Sequence, residues 1–137
     1  MMNVHNTHAR KDLLLTILIV AVGFGIPFVL YWNQLLAGNT IVSGDGLASI
    51  VPDLPWLKNS VIEGEFPLWN PYLAGGTPRG ILAGAPGLYP LNWLLIFVPV
   101  VAQLYVFFAI HLALGGAFMF RYLRKLSCSP FVAMVVS

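Results

Sequence analysis

The sequence predicts an all-α integral membrane protein. N-terminal transmembrane helices flank a long extracytoplasmic first loop, which contains a kinked amphipathic helix. Of the 137 residues, 58% are hydrophobic and only 9% are charged, whereas soluble domains carry about 25% charged residues. Mean hydropathy is +0.82. Two long stretches carry no charge, and basic residues lie at their ends. Together these observations favour the membrane class over the soluble class.

The first charge-free stretch predicts one transmembrane helix. Leu13 to Trp32 is 20 residues long, and at about 1.5 Å rise per residue it spans about 30 Å, the thickness of a bilayer core. Residues 1–12 precede it as a polar cytoplasmic segment. A cleaved signal peptide is the alternative, but the apolar run exceeds the roughly 7–15 residues of a signal h-region and no clear small-x-small cleavage site follows it. We therefore expect a retained signal-anchor helix.

The second hydrophobic region follows residue 90 and is interrupted by Pro99. It is too long for one upright span. We expect a short interfacial or re-entrant helix over residues 91–99 and a second transmembrane helix over residues 100–122. Residues 123–130 then form a cytoplasmic loop, and the apolar residues 131–137 begin a third transmembrane helix.

Small residues recur every four positions in the second span. Ala109, Ala113 and Ala117 follow this spacing, with Gly116 on the same side. Small residues at this spacing let another helix approach closely. Two spans satisfy each other only in part, so we expect this chain to be the N-terminal piece of a larger polytopic protein.

Basic residues set the orientation of the two spans. Two precede the first span and three lie at the end of the second, whereas the loop between the spans, residues 33–90, has two. They are Arg10 and Lys11, then Arg121, Arg124 and Lys125, and in the loop Lys58 and Arg79. The positive-inside rule therefore places the N-terminus in the cytoplasm and the loop outside. The net charge of +2 is too small to suggest a nucleic-acid partner.

The outer loop contains an amphipathic pattern. Apolar residues recur at three- and four-residue spacing, which predicts a helix. They are Leu47, Ile50, Val51, Leu54, Leu57, Val61 and Ile62. Pro52 and Pro55 remove backbone donors and clash with the preceding turn, so we expect a kinked helix along the outer membrane surface that ends near Gly64. Five aromatic residues suit the headgroup layer, namely Trp56, Trp69, Tyr72, Tyr89 and Trp93.

Asp45 is the first candidate for chemistry. It lies in VSGDGLAS, past the outer end of the first span, with a glycine on each side that lets the backbone turn sharply. A carboxylate there can act as a general base on an acceptor hydroxyl, or help to hold a divalent cation beside a phosphate. It can equally form an Asx turn or a helix cap, and the residues alone leave these alternatives open.

Two further charged side chains are candidates for binding. Asp53 lies between two prolines and can equally cap the second half of the kinked helix. Arg79 can pair with a diphosphate leaving group or with anionic lipid headgroups. The sequence contains no nucleophile triad, phosphate loop or metal-ligand spacing, and its single cysteine excludes an internal disulfide. No residue pattern in the sequence demands a cofactor, and a bound divalent cation is compatible with it.

The stretch FPLWNPYLAGGTPRG, Phe66 to Gly80, has too much proline and glycine for a helix and too many large aromatics for a passive linker. It ends the run GDGLASIVPDLPWLKNSVIEGEFPLWNPYLAGGTPRG, after which GLYPLNWLLIFVP and HLALGGAFMFRYLRKLSCS follow. In the order and spacing of these segments, roughly Gly44 to Ser129, the chain resembles the N-terminal part of bacterial YfhO-like membrane proteins. These are large polytopic proteins related to the GT-C glycosyltransferases. The most specific parts are the aspartate after the first span, the G-E-x-P-L-W-N-P-Y block and the Y-P-x-N pair.

The resemblance implies a GT-C-like fold with a catalytic carboxylate in the first outer loop, which corresponds to Asp45. It also implies a polyprenyl-phosphate sugar donor and an envelope glycan, lipid or protein acceptor, at the outer face of the bacterial inner (cytoplasmic) membrane. The tryptophan-asparagine-proline-tyrosine block is expected to shape the wall where lipid and acceptor meet. The predicted substrate-binding residues are Asp53, Trp69, Asn70, Tyr72 and Arg79.

The expected function is sugar transfer from the polyprenyl-linked donor by direct displacement at the anomeric carbon. Asp45 would be the base or a group that positions a metal ion. The alternative is a non-catalytic polytopic membrane protein involved in envelope assembly or lipid handling, whose outer loop binds rather than reacts. Replacing Asp45 by asparagine separates the two, because only the enzyme depends on that carboxylate.

Overall fold

A computed structural model describes residues 2–78 and 86–137 of the chain. Within these ranges the regular structure is helical, apart from one isolated β-bridge. The helices are α1 (Met2–Leu30), α2 (Trp32–Leu36), α3 (Asp45–Ile62), α4 (Pro90–Leu94), α5 (Val100–Lys125) and α6 (Pro130–Val136), with a 3-10 turn at Pro86–Leu88. The predicted all-helical class is confirmed for these residues.

The chain divides into two compact units. The terminal unit comprises Met1–Trp32 and Val106–Ser137, and the central unit comprises Asn33–Tyr105. Among the described residues, two helices are long and apolar enough to span a membrane by length and composition, Ala9–Leu30 with 22 residues and Val100–Lys125 with 26 residues. The first lies within α1, and the second is the whole of α5.

The helices extend beyond the bounds that hydropathy predicts. α1 begins at Met2 and ends at Leu30, two residues before the predicted end of the first span. The amide of Tyr31 donates to the carbonyl of Pro27 at 3.1 Å, and a short α2 follows. α5 continues to Lys125, three residues past the predicted 122, because basic residues are good helix formers although they end an apolar stretch.

Small residues bring α1 and α5 together in the terminal unit. Ala109, Ala113 and Ala117 are buried on one face of α5. At Gly23 of α1, a Cβ atom would lie 3.0 Å from the backbone of Ala113. The small-residue face therefore packs against α1, with backbone close to backbone, as small residues allow.

A polar contact joins the chain before the apolar part of α1 to the end of α5. The Nε atom of Arg124 donates to both carboxylate oxygens of Asp12 at 3.1 Å. The Nη1 atom of Arg124 donates to the carbonyl of Cys128 at 2.6 Å. Ser129 then caps α6, since its side chain accepts from the amide of Val132. One guanidinium therefore holds both α1 and the turn that leads to α6.

The core of the central unit lies on one face of α3. Trp56 and Leu57 are buried with Ile96, and Val61 and Trp93 pack against them. The expectation that the Trp56 ring lies among lipid headgroups is corrected, because its ring fills this core. The Trp93 ring beside it is half-buried, and its indole N–H donates to the carbonyl of Gly87 at 2.8 Å.

Prolines lie inside one of the elements around this core and at the start of others. α3 continues through Pro52 and Pro55 and ends at Ile62. α4 covers only Pro90–Leu94 of the helix expected over residues 91–99. Pro99 disfavours a helical conformation in the residue before it, so the chain turns there and α5 starts at Val100. The first turns of α5 belong to this unit, and the hydroxyl of Tyr105 donates to the carbonyl of Asn39 at 3.3 Å.

Candidate functional site

Asp45 is the first residue of α3 and its side chain is exposed. The N-cap is Gly44, whose φ of 57° lies in the left-handed region that favours glycine. Asp45 is therefore not the N-cap residue. Its carboxylate lies in the first turn, where the helix dipole favours negative charge.

The W-N-P-Y block forms a tight closed turn. The amide of Asn70 donates to the carbonyl of Thr77 at 2.8 Å, and the amide of Thr77 donates back at 2.9 Å, which makes an antiparallel bridge. Between them the chain reverses through three residues with positive φ, which are Ala74 (51°), Gly75 (76°) and Gly76 (113°). The paired glycines of the sequence are therefore needed to close the turn.

One face of the turn is an exposed aromatic surface. Gly76 lies against the indole of Trp69, so closely that a Cβ atom would come within 2.4 Å of the ring. The exposed fraction of Trp69 is nevertheless 57%, and that of Tyr72 is 87%. The glycine backbone supports Trp69 while much of the ring stays open, as an aromatic group that stacks on a ligand requires.

The other face of the turn is tied to α3. Asp53 and Asn70 are each 3% exposed, and the Nδ2 atom of Asn70 donates to Oδ1 of Asp53 at 3.1 Å. The Oδ1 atom of Asn70 accepts from the amide of Tyr72 at 2.9 Å. Asn70 therefore both docks the turn on α3 and fixes its own backbone.

The structure thus gives the predicted site residues different positions. Asp53 and Asn70 meet in the interior, whereas Trp69 and Tyr72 face outwards from the same turn. Asp45 and Asp53 are eight residues apart on α3, which corresponds to about 12 Å along a helix axis at about 1.5 Å per residue. The remaining predicted binding residue, Arg79, lies outside the described residues.

Sequence reasoning missed the packing around this turn. Phe66 stacks on Trp93 with ring centroids 5.8 Å apart, and Pro67 lies against Gly87. Within the described part of the chain, the buried hydroxyl oxygen of Thr77 has no hydrogen-bond partner. The proline-glycine pair at 86–87 is a turn signal, but nothing in its pattern indicates what the turn packs against.

Among residues 2–78 and 86–137, no three histidine, cysteine, aspartate or glutamate side chains lie together in a group that could hold a metal ion. Of the acidic residues of the central unit, Asp45 and Asp53 lie on α3, Glu63 is its C-cap and Glu65 follows. Comparisons of the chain with models of protein families, with curated proteins and with solved structures find no match.

Proposed function

We propose that this chain belongs to a membrane glycosyltransferase. Its central unit would lie on the outer face of a bacterial cytoplasmic membrane, between the two helices that are long enough to span it. The contact between Asp12 and Arg124 supports a common side for the two ends that carry most of the basic residues. By the positive-inside rule that side is the cytoplasm.

The observation that carries the proposal is the placement of Asp45. It is an exposed carboxylate at the start of α3, in the same unit as an exposed aromatic turn that is docked on that helix. The resemblance of this region to YfhO-like proteins, related to the GT-C enzymes, assigns the essential acid of the first outer loop to the same residue.

The proposed reaction is a direct displacement. The carboxylate of Asp45 removes the proton from an acceptor hydroxyl while that oxygen forms a bond to the anomeric carbon of the donor. The bond between the anomeric carbon and the phosphate oxygen breaks, and the polyprenyl phosphate or diphosphate leaves with the electron pair. Trp69 and Tyr72 would contact sugar or lipid, and Arg79 would pair with the phosphate.

Asp53 and Asn70 would have an indirect role in this reaction. Their hydrogen bond fixes the aromatic turn about 12 Å along α3 from Asp45. A sugar and its linked phosphate would occupy the intervening surface. In this proposal the two residues position the binding surface and do not touch the donor.

The test replaces Asp45 in the protein made from its own gene. Membranes with equal amounts of protein are supplied with a labelled polyprenyl-phosphate sugar, and both transferred sugar and released polyprenyl phosphate are measured. We expect Asp45→Asn to lose about 10²–10⁴-fold of the transfer rate, the usual contribution of general base catalysis. Glu63→Gln removes the same charge from an exposed carboxylate at the other end of α3 and should transfer normally.

Full transfer by Asp45→Asn would refute the assignment of the base. Equal loss in Asp45→Asn and Glu63→Gln would mean that the general negative charge of the unit matters, rather than one carboxylate. If the wild-type membranes transfer no sugar at all, the non-catalytic alternative is favoured, in which the outer turn binds an envelope lipid without reacting.

A further inference from the structure

Four large apolar side chains are exposed around the core of the central unit. They are Phe66, Leu88, Leu94 and Phe97, with exposed fractions of 59%, 59%, 78% and 74%. We call this set the apolar rim. Exposed apolar side chains that occur singly are ordinary, whereas a group of them at one place marks an interaction surface.

One ring contact and the chain connectivity place the rim residues around a single packed cluster. The Phe66 ring stacks on Trp93, and the indole of Trp93 donates to the carbonyl of Gly87. Leu88 and Leu94 directly follow Gly87 and Trp93 in the chain. Phe97 follows Ile96, which shares the core with Trp93. Each rim residue is therefore either a member of this packed cluster or the chain neighbour of a member.

The chemistry of the rim points to lipid as the occupant. The segments 66–78 and 86–99 that carry it contain no charged residue, so they offer nothing to an acidic or basic protein partner. Trp93 and Tyr89 add amphipathic rings of the kind that prefer the boundary between headgroups and acyl chains. The exposed carboxylate of Glu65 directly precedes Phe66 in the chain. An apolar surface with aromatic edges, bordered by one charge, suits that boundary.

The path of the chain gives the second argument. Phe97 is three residues before Val100, the first residue of α5, so the two lie within about 10 Å even in an extended chain. α5 is one of the two helices long and apolar enough to span a membrane. If α5 crosses a bilayer, the rim starts at the surface of that same bilayer.

We propose that the apolar rim inserts into the outer surface of the membrane and anchors the central unit there. The inference rests on the membrane insertion assumed in the proposed function, and adds that segment 86–97 and Phe66 share one lipid-facing surface. The anchor would hold the aromatic turn of Trp69 and Tyr72 close to the headgroups, where a lipid-linked donor presents its phosphate.

The test measures lipid exposure at single sites in the whole chain. Cysteines are introduced singly at Leu94, Phe97, Leu18 or Asn59 in a Cys128→Ala background, labelled with a nitroxide and reconstituted in phosphatidylcholine vesicles. Relaxation by oxygen, which concentrates in lipid, is compared with relaxation by a water-soluble nickel chelate. Leu18 lies in the apolar part of α1 and reports insertion of that helix, and Asn59 is an exposed polar position on α3. We expect the labels at Leu94, Phe97 and Leu18 to be relaxed more by oxygen than by the nickel chelate, and the label at Asn59 to be relaxed more by the nickel chelate.

The remaining outcomes separate the two proposals. If Leu18 favours oxygen while Leu94 and Phe97 favour nickel, the helix inserts and the rim is exposed to water, which overturns the anchor alone. If Leu18 also favours nickel, membrane insertion itself fails. If neither reagent reaches Leu94 and Phe97, a protein surface or a second copy of the chain covers the rim, and lipid is excluded as its occupant.

Discussion

Asn70 shows how one side chain can position a whole turn. It donates to the buried carboxylate of Asp53 and accepts from the part-buried amide of Tyr72. A buried hydrogen bond makes a net contribution of about 0.5–1.5 kcal/mol to the free energy of unfolding. Removing one partner costs about 1–3 kcal/mol, because the other partner is left unsatisfied. The W-N-P-Y block, which the sequence predicts to bind substrate, therefore contains in Asn70 a residue that stabilises the turn.

The two glycines of the aromatic turn give the first prediction at this scale. Both have positive φ, so alanine strains the backbone at either position by about 1–2 kcal/mol. Among the described residues, the added Cβ collides with the Trp69 ring at Gly76, whereas at Gly75 it has no neighbouring atom within 4 Å. We expect the amides of Asn70 and Thr77 to exchange with solvent about tenfold faster in Gly76→Ala than in Gly75→Ala, reflecting an additional 1–2 kcal/mol or so.

Hydrogen exchange followed by mass spectrometry of the peptides around Asn70 and Thr77 measures this difference. Gly75→Ala is the control for alanine at a positive φ, which is 76° there and 113° at Gly76. Equal exchange in the two variants would show that Trp69 does not rest on Gly76. We also expect Gly76→Ala to lower the rate of sugar transfer more than Gly75→Ala, because Gly76→Ala displaces the ring that is proposed to contact the donor.

At the scale of elements, periodicity identified α3 and composition identified α1 and α5. The pattern could not tell that Asp53 lies on the buried face, because its partner Asn70 is 17 residues away. Trp56 was misplaced for a related reason. An aromatic ring next to a membrane suits both a headgroup layer and a core, and only the contact with Ile96 decides between them.

Local signals served better where the backbone itself sets the boundary. Pro99 ends one segment and starts the next, and Ser129 with Pro130 forms the start of α6. Hydropathy was less exact for the long helices, since it marks where apolar residues end and not where hydrogen bonds end. The salt bridge between Asp12 and Arg124 was equally out of reach, because it joins residues 112 positions apart.

The close approach of α1 and α5 yields the second prediction. A leucine at Gly23 must force its side chain against the backbone of Ala113, whereas a Cβ added at Gly25 meets no atom of another described element within 4 Å. Overpacking of this kind costs about 1–3 kcal/mol. We expect Gly23→Leu to lower the thermal midpoint of the purified chain in detergent, followed by circular dichroism, and Gly25→Leu to leave it nearly unchanged. Identical midpoints for the two variants would contradict this packing.

For the whole molecule, the proposed function depends on which side of a membrane the central unit faces. Two helices are long and apolar enough to span, and the segment between them carries the exposed carboxylate, the aromatic turn and the apolar rim. A polyprenyl-linked donor at the outer face reaches these groups only if the unit is outside. Orientation therefore links the catalytic proposal, the lipid anchor and the distribution of basic residues.

The most direct measurement is thiol labelling of intact cells with a membrane-impermeant reagent. Two single-cysteine chains are compared in a Cys128→Ala background. Asn59→Cys lies on α3, and Leu126→Cys follows α5 at an exposed position. If the central unit lies outside, Asn59→Cys is labelled in intact cells and Leu126→Cys is labelled only after permeabilisation. Labelling of Leu126→Cys in intact cells, with Asn59→Cys protected until permeabilisation, would invert the orientation and contradict a transferase that works at the outer face.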